Sequence, residues 1–121
     1  MTKYIFSIIL SVGLFTTTYG QEIINNTQDV DKIETETFKV YGNCGMCKRT
    51  IEGALKEEAG VSEAIWDMES GEMKVSFDSD NITIDDIKQR IADVGYDTDS
   101  HRAKLDVYSA LPGCCQYDRP E

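Results

Sequence analysis

A chain of 121 residues is enough for one domain and no more. Its 12 Lys+Arg against 22 Asp+Glu give a formal charge of −10. That balance excludes nucleic acid, whose binding runs on neutralised phosphates, and leaves no polybasic membrane patch. The single histidine, His101, excludes a multi-histidine metal site, and the remaining composition is that of a globular protein.

The chain opens with Lys3 and an apolar run from Tyr4 to Phe15, followed by small residues at Thr18 and Gly20. This is the pattern of a secretory signal peptide over residues 1–20, cleaved after Gly20. The run is about 12 residues, short of the roughly 20 that a spanning helix needs. The expectation is a secreted protein working in the periplasm, where thiols oxidise unless a metal or reductant holds them. Residues 21–35 are polar and poor in aromatics and read as a flexible tether.

Regular patterning begins at Glu36, and 36–100 reads as the folded domain. Phe38 and Val40 alternate in a strand over Thr37–Tyr41, broken by Gly42-Asn43. Ile51, Ala54 and Leu55 fall on one face of a helix over Met46–Glu58, stopped by Gly60. A second strand, Ser62–Met68, places Ala64, Trp66 and Met68 on its core side. The turn Glu69–Glu72 leads to a third strand, in which Met73, Val75 and Phe77 alternate with polar residues. Thr83 with Asp86 three residues on predicts a capping box. It opens a helix striped by Ile84, Ile87, Ile91 and Val94 and stopped by Gly95. Tyr96–Ser100 supplies a last strand. The order β-α-β-β-α-β predicts an α+β, ferredoxin-like fold, a four-stranded antiparallel sheet with two helices on one face. Residues 101–121 form a tail, with a short helix over Ala103–Leu111 ahead of Pro112-Gly113 and the adjacent pair Cys114-Cys115.

The chemistry concentrates at Gly42-Asn43-Cys44-Gly45-Met46-Cys47, where strand passes through loop to helix. Two-residue spacing lets both sulfurs converge. Cys47 lies in the first helical turn, where free N–H groups favour a thiolate, and Lys48 and Arg49 follow. Two thiolates on a loop suit a soft ion such as Cu(I) or Hg(II), whereas a closed zinc site wants two more ligands. The acidic pairs around Asp67, Asp78 and Asp85 fall at turns and a helix start, where capping explains them. Phosphate loops and serine-hydrolase motifs are missing, so the chain reads as a binding protein and not an enzyme.

From Phe38 to about Asp97 the sequence resembles the heavy-metal-associated domain family. GNCGMC opens a helix, GVSEAIWDMESGEMKVSFD forms the middle hairpin, and IADVGYD leads to the last strand. The family includes copper chaperones, the metal-binding domains of copper-transporting ATPases and a periplasmic mercury-binding protein. The resemblance implies that Cys44 and Cys47 bind a soft metal, with Cu(I) first and Hg(II) or Zn(II) as alternatives. It also implies that Tyr96 lies near the ion. A metal-transporting membrane protein or another cysteine-bearing acceptor is the implied partner, met as a monomer or a metal-bridged dimer. Two positions depart from the family. The methionine usual two residues before the first cysteine is Gly42 here, and a methionine lies between the cysteines at Met46, a candidate thioether ligand.

The family domain does not reach Cys114-Cys115. The last strand carries the chain roughly 15–17 Å from the metal loop, and a helix of about nine residues returns about 13 Å. The tail can therefore deliver Cys114 or Cys115 to the Cys44–Cys47 pair. That predicts a three- or four-thiolate site in a metallochaperone or scavenger. Two alternatives stay open: a dithiol–disulfide redox protein using Cys44 and Cys47, and a disulfide-stapled binding domain with a tail-to-loop bridge.

Overall fold

The computed structural model describes Gly13 and residues 32–121. Apart from Gly13, the expected signal peptide therefore lies outside the described residues, as do residues 21–31 of the expected tether, whereas 33–35 belong to the first strand and not to a flexible tether. Among those described, no helix is long and apolar enough to cross a membrane.

The elements run β1 (Ile33–Lys39), α1 (Gly45–Lys56), β2 (Val61–Trp66), β3 (Glu72–Asp78), α2 (Ile84–Asp93) and α3 (Leu105–Ser109), then a 3-10 turn at Gly113–Cys115. The sheet is antiparallel with order β1-β3-β2. β1 starts four residues before the alternation predicts, because it pairs with β3 along its whole length, from Ile33 opposite Asp78 to Lys39 opposite Glu72. Thr35 and Ser76 join their hydroxyls across that ladder at 2.9 Å. The early residues are polar and exposed, so side-chain periodicity could not reveal them.

Phe38, Val40, Trp66, Met73, Val75 and Phe77 turn to one face of the sheet and form a core with Cys47, Ile51 and Leu55 of α1 and Ile87 and Ile91 of α2. The capping box at Thr83 is present in both directions: Asp86 N–H donates to Thr83 Oγ1 and Thr83 N–H donates to the Asp86 carboxylate. The other acidic residues also serve turns. Asp67 accepts from the Glu69 and Ser70 amides, and Asp78 from the Asp80 amide. Met68 departs from expectation. β2 ends at Trp66, and Met68 sits in the following turn, half exposed.

The expected fourth strand is reduced to a single antiparallel bridge, Val40 with Thr98. Tyr41 N–H donates to Asp97 O at 2.9 Å and Asp99 N–H to Lys39 O at 3.1 Å. Pairing stops there because Asp97 N–H, which would continue the ladder, goes to the Tyr117 hydroxyl at 2.7 Å, while Thr98 N–H closes a turn on His101 O at 2.8 Å. The segment keeps the edge position beside β1, but its hydrogen bonds are committed to a turn. The tail helix is likewise shorter than Ala103–Leu111, since Ala103 is held by Asp97 and Leu111 packs on Gly95. Gly95 (φ 107°) both stops α2 and lets Leu111 close in, for a Cβ there would lie 3.0 Å from Leu111 Cδ2.

Trp66 is the largest fully buried side chain, and its indole N–H is shared between Val40 O and Gly71 O, each at 3.1 Å. Its ring fills the space beside Gly42, where a Cβ would meet Trp66 Cη2 at 3.0 Å. Trp66→Ala should lower unfolding free energy by about 3–5 kcal/mol, the usual cost of emptying an aromatic core site. Urea unfolding of the reduced chain measures it, and a loss below about 1 kcal/mol would contradict this packing.

Candidate metal centre

Cys44 is the N-cap of α1, in extended conformation, and its carbonyl accepts Lys48 N–H at 3.0 Å. Its sulfur lies against those of Cys47 and Cys115. Cys47, one turn in, is fully buried beneath the loop. The two sulfurs are 3.5 Å apart, and Asn43 N–H donates to Cys47 Sγ, also at 3.5 Å.

The tail folds back as its length allows. Cys115, buried in the 3-10 turn, places Sγ 3.7 Å from Cys44 Sγ. The three sulfurs of Cys44, Cys47 and Cys115 all lie within 4.8 Å of one another. A metal–sulfur bond of about 2.3 Å in a planar three-coordinate site sets the sulfurs about 4.0 Å apart, so the spacing fits one ion among three thiolates. Cys114 does not join that triangle. It is exposed, with Sγ 3.6 Å from Met46 Sδ and 3.9 Å from Cys115 Sγ. Adjacent residues of a 3-10 turn point in different directions, so only one of the pair can reach inward. His101 stays out of the cluster, its Nδ1 within 3.0 Å of Ser100 Oγ.

Tyr96 lies against the site, as the family resemblance implies. Its ring is fully buried and its hydroxyl finds no oxygen or nitrogen partner. Burial raises its pKa steeply, and the Cys115 and Cys47 sulfurs add to the effect, so it stays a neutral phenol. The helix start acts on Cys44: the Cys47 amide, then the Cys47 side chain, bring its thiol down to about 7. Burial pushes Cys115 up to about 12. Lys48, expected to aid the thiolates, instead donates to Trp66 O at 2.7 Å and pairs with Glu52.

What holds the tail in place was not legible in the sequence. Tyr117, two residues after Cys115, accepts Asp97 N–H at 2.7 Å on its hydroxyl and donates to Gly95 O at 2.8 Å. Its ring stacks on Tyr96 and meets Tyr108 edge-on, with centroids at 5.7 and 5.1 Å. Arg119 grips the buried Asp97 carboxylate with two nitrogens, at 2.8 and 2.7 Å, and donates to Ala103 O. Burial alone would raise the Asp97 pKa, but Arg119 and the Ala103 amide hold it below the ordinary carboxylate value.

Two predictions follow from this geometry. In a Cys114→Ser chain, alkylation at neutral pH should reach Cys44 at a rate rising through about pH 7, with Cys115 far slower, as peptide mass spectrometry would read. Equal rates would contradict the buried placement of Cys115. The lowered Asp97 carboxyl stabilises the docked tail above its unfolded pKa, and that contribution is lost as pH falls through its folded value. Acid should therefore detach the tail. Arg119→Met, which leaves a buried charge unpaired at about 3–5 kcal/mol, should move detachment to higher pH, read from hydrogen exchange at the Ala103 amide.

Comparison with known proteins places this geometry. The model of the heavy-metal-associated domain matches residues 37–97, half of the chain. The copper chaperone CopZ of Staphylococcus saprophyticus is 47% identical over 64 residues, covering 52% of this chain and 94% of CopZ. CopZ of Bacillus subtilis is 38% identical over 66 residues, covering 54% and 96%. Among solved structures, a CopZ metallochaperone superposes with a TM-score of 0.52 at 35% identity over 54% of this chain and 98% of its own. Oxidised MerP from Ralstonia metallidurans CH34 gives 0.52 at 28%, over 55% and 93%. The family match ends at residue 97, so Cys114, Cys115, Tyr117 and Arg119 are additions beyond it. With two cysteines converging at the start of α1 inside the matched segment, the chain belongs to the heavy-metal-associated domain family.

Proposed function

We propose that this chain is an extracytoplasmic carrier or scavenger of a soft metal ion, Cu(I) foremost, that holds it through Cys44, Cys47 and Cys115. The observation that carries the reading is the convergence of three sulfurs from two segments far apart in sequence, all within 4.8 Å. The similarity to copper chaperones supports Cu(I). So does the donor set: three thiolates suit a soft monovalent ion of low coordination number, and zinc or mercury would compete for the same sulfurs. The apolar run Tyr4–Phe15 behind Lys3 supports export.

Cys115 occupies the position that an acceptor's cysteine would take in a stepwise thiolate exchange. The intramolecular third ligand therefore favours retention and a monomer over rapid donation and a metal-bridged dimer. Delivery to a cysteine-bearing acceptor, such as a metal-transporting membrane protein, requires the tail to lift first. The acidic chain would steer towards a basic partner face. One observation favours a second reading: a Cys44 thiol near pKa 7, 3.5 Å from Cys47, is also suited to thiol–disulfide exchange. Turnover in an insulin-reduction assay would support that alternative.

Competitive Cu(I) titration of the reduced chain against a chromophoric chelator tests the main reading. Cys115→Ser should weaken the tightest site tenfold or more, about 1.4 kcal/mol. Cys44→Ser should weaken it further. Unchanged affinity in Cys115→Ser would leave a two-cysteine carrier, and no binding by the parent chain would remove the metal reading.

A further inference from the structure

The sulfurs at this end of the molecule do not stop at the triangle. Cys47, Cys44, Cys115, Cys114 and Met46 form an unbroken row, with successive separations of 3.5, 3.7, 3.9 and 3.6 Å. Each step lies within about 0.5 Å of the roughly 4.0 Å expected between two sulfurs sharing one metal ion. We propose that the row binds two Cu(I) ions, the inner one among Cys47, Cys44 and Cys115 and the outer one among Cys115, Cys114 and Met46, with the Cys115 sulfur bridging. The proposal rests on the three-thiolate reading above and adds a second site to it.

The two ends of the row differ in environment. Cys47 and Cys115 are buried, whereas Cys114 and Met46 are exposed. Met46 is 45% exposed, so an ion at this end of the row is open to solvent. It stands one residue from Cys47 and faces a thiol from 68 residues away in sequence. The Asn43 side-chain amide donates to the Cys114 carbonyl, at 3.5 Å, and ties the two segments together at this edge. Thiolate and thioether are both soft donors that select Cu(I). Loading releases to solvent whatever protons the four thiols still hold, and no electron is transferred. The inner ion is enclosed and retained. The outer ion, with one thioether ligand and open to solvent, is the exchangeable one, and an acceptor can take it without opening the tail.

Anaerobic Cu(I) titration of the reduced full chain, followed by native mass spectrometry of the monomer, tests this. The parent chain should take two ions, the second at least tenfold weaker. The double variant Cys114→Ser/Met46→Leu changes only exposed side chains. It should take one, with first-ion affinity unchanged within threefold. Cys115→Ser should lose the second ion and weaken the first, the signature of a shared sulfur. Saturation of the parent at one ion overturns the second site and leaves the three-thiolate reading standing. So does a second ion that survives the double variant or appears only in dimers. Binding of no ion at all overturns both.

Discussion

The buried carboxylate of Asp97 is the point on which the site depends. It sits at the edge of the sheet, immediately after Tyr96, and it is fully enclosed. A charge there is tolerable only with partners, and the tail provides them: Arg119 with two nitrogens and the Ala103 amide. The same residue's amide is taken by the Tyr117 hydroxyl. Cys115 lies between Ala103 and Arg119, so satisfying Asp97 fixes where that thiol comes to rest. A buried ion pair adds little net stability, since desolvation offsets most of the attraction. Its value here is positional. An apolar patch would let the tail slide, whereas a two-pronged guanidinium contact has one geometry.

The loop on the other side is held by packing instead of charge. Gly42 lets the Trp66 indole close over the approach to Cys47, and the indole N–H is satisfied by two strand-end carbonyls. The thiols then divide by environment. Cys44 sits where the helix start lowers its pKa to about 7, and burial carries Cys115 to about 12. At neutral pH Cys44 is thus partly ionised, whereas the tail thiol Cys115 stays protonated. Under the proposed three-thiolate binding that proton must leave, so the engagement of Cys115 depends on pH.

The parts of this arrangement that follow from local rules were legible in the sequence. α1 and α2 were plain from apolar spacing, β3 from alternation, and the Thr83–Asp86 capping box from a four-residue pattern. The Cys44–Cys47 pair was plain from its spacing at a strand-to-helix junction. The start of β1 was hidden, since Glu34, Thr35 and Glu36 carry no apolar signal and owe their extended form to the ladder with β3. The fourth strand is only partly formed: Tyr96–Ser100 has the right position and gives two bonds to β1, but the Asp97 amide goes to Tyr117 and the Thr98 amide to the turn at His101. Chain length showed that the tail could return. Which of two adjacent cysteines would point inward, and that Tyr117 and Arg119 would anchor them, depended on contacts spanning about twenty residues that no periodicity encodes.

The order of the cysteines along the chain sets an order in time. Cys44 and Cys47 leave the ribosome with the domain that positions them, and a chain growing at about 5–20 residues per second produces the tail only seconds later. In that interval the two-thiol loop exists without its third sulfur, and the edge at Asp97 has no arginine to cover it. Cys115 and then Arg119 are made only after the domain they close over. A chain cut before Cys115 therefore offers two thiols at this place instead of three.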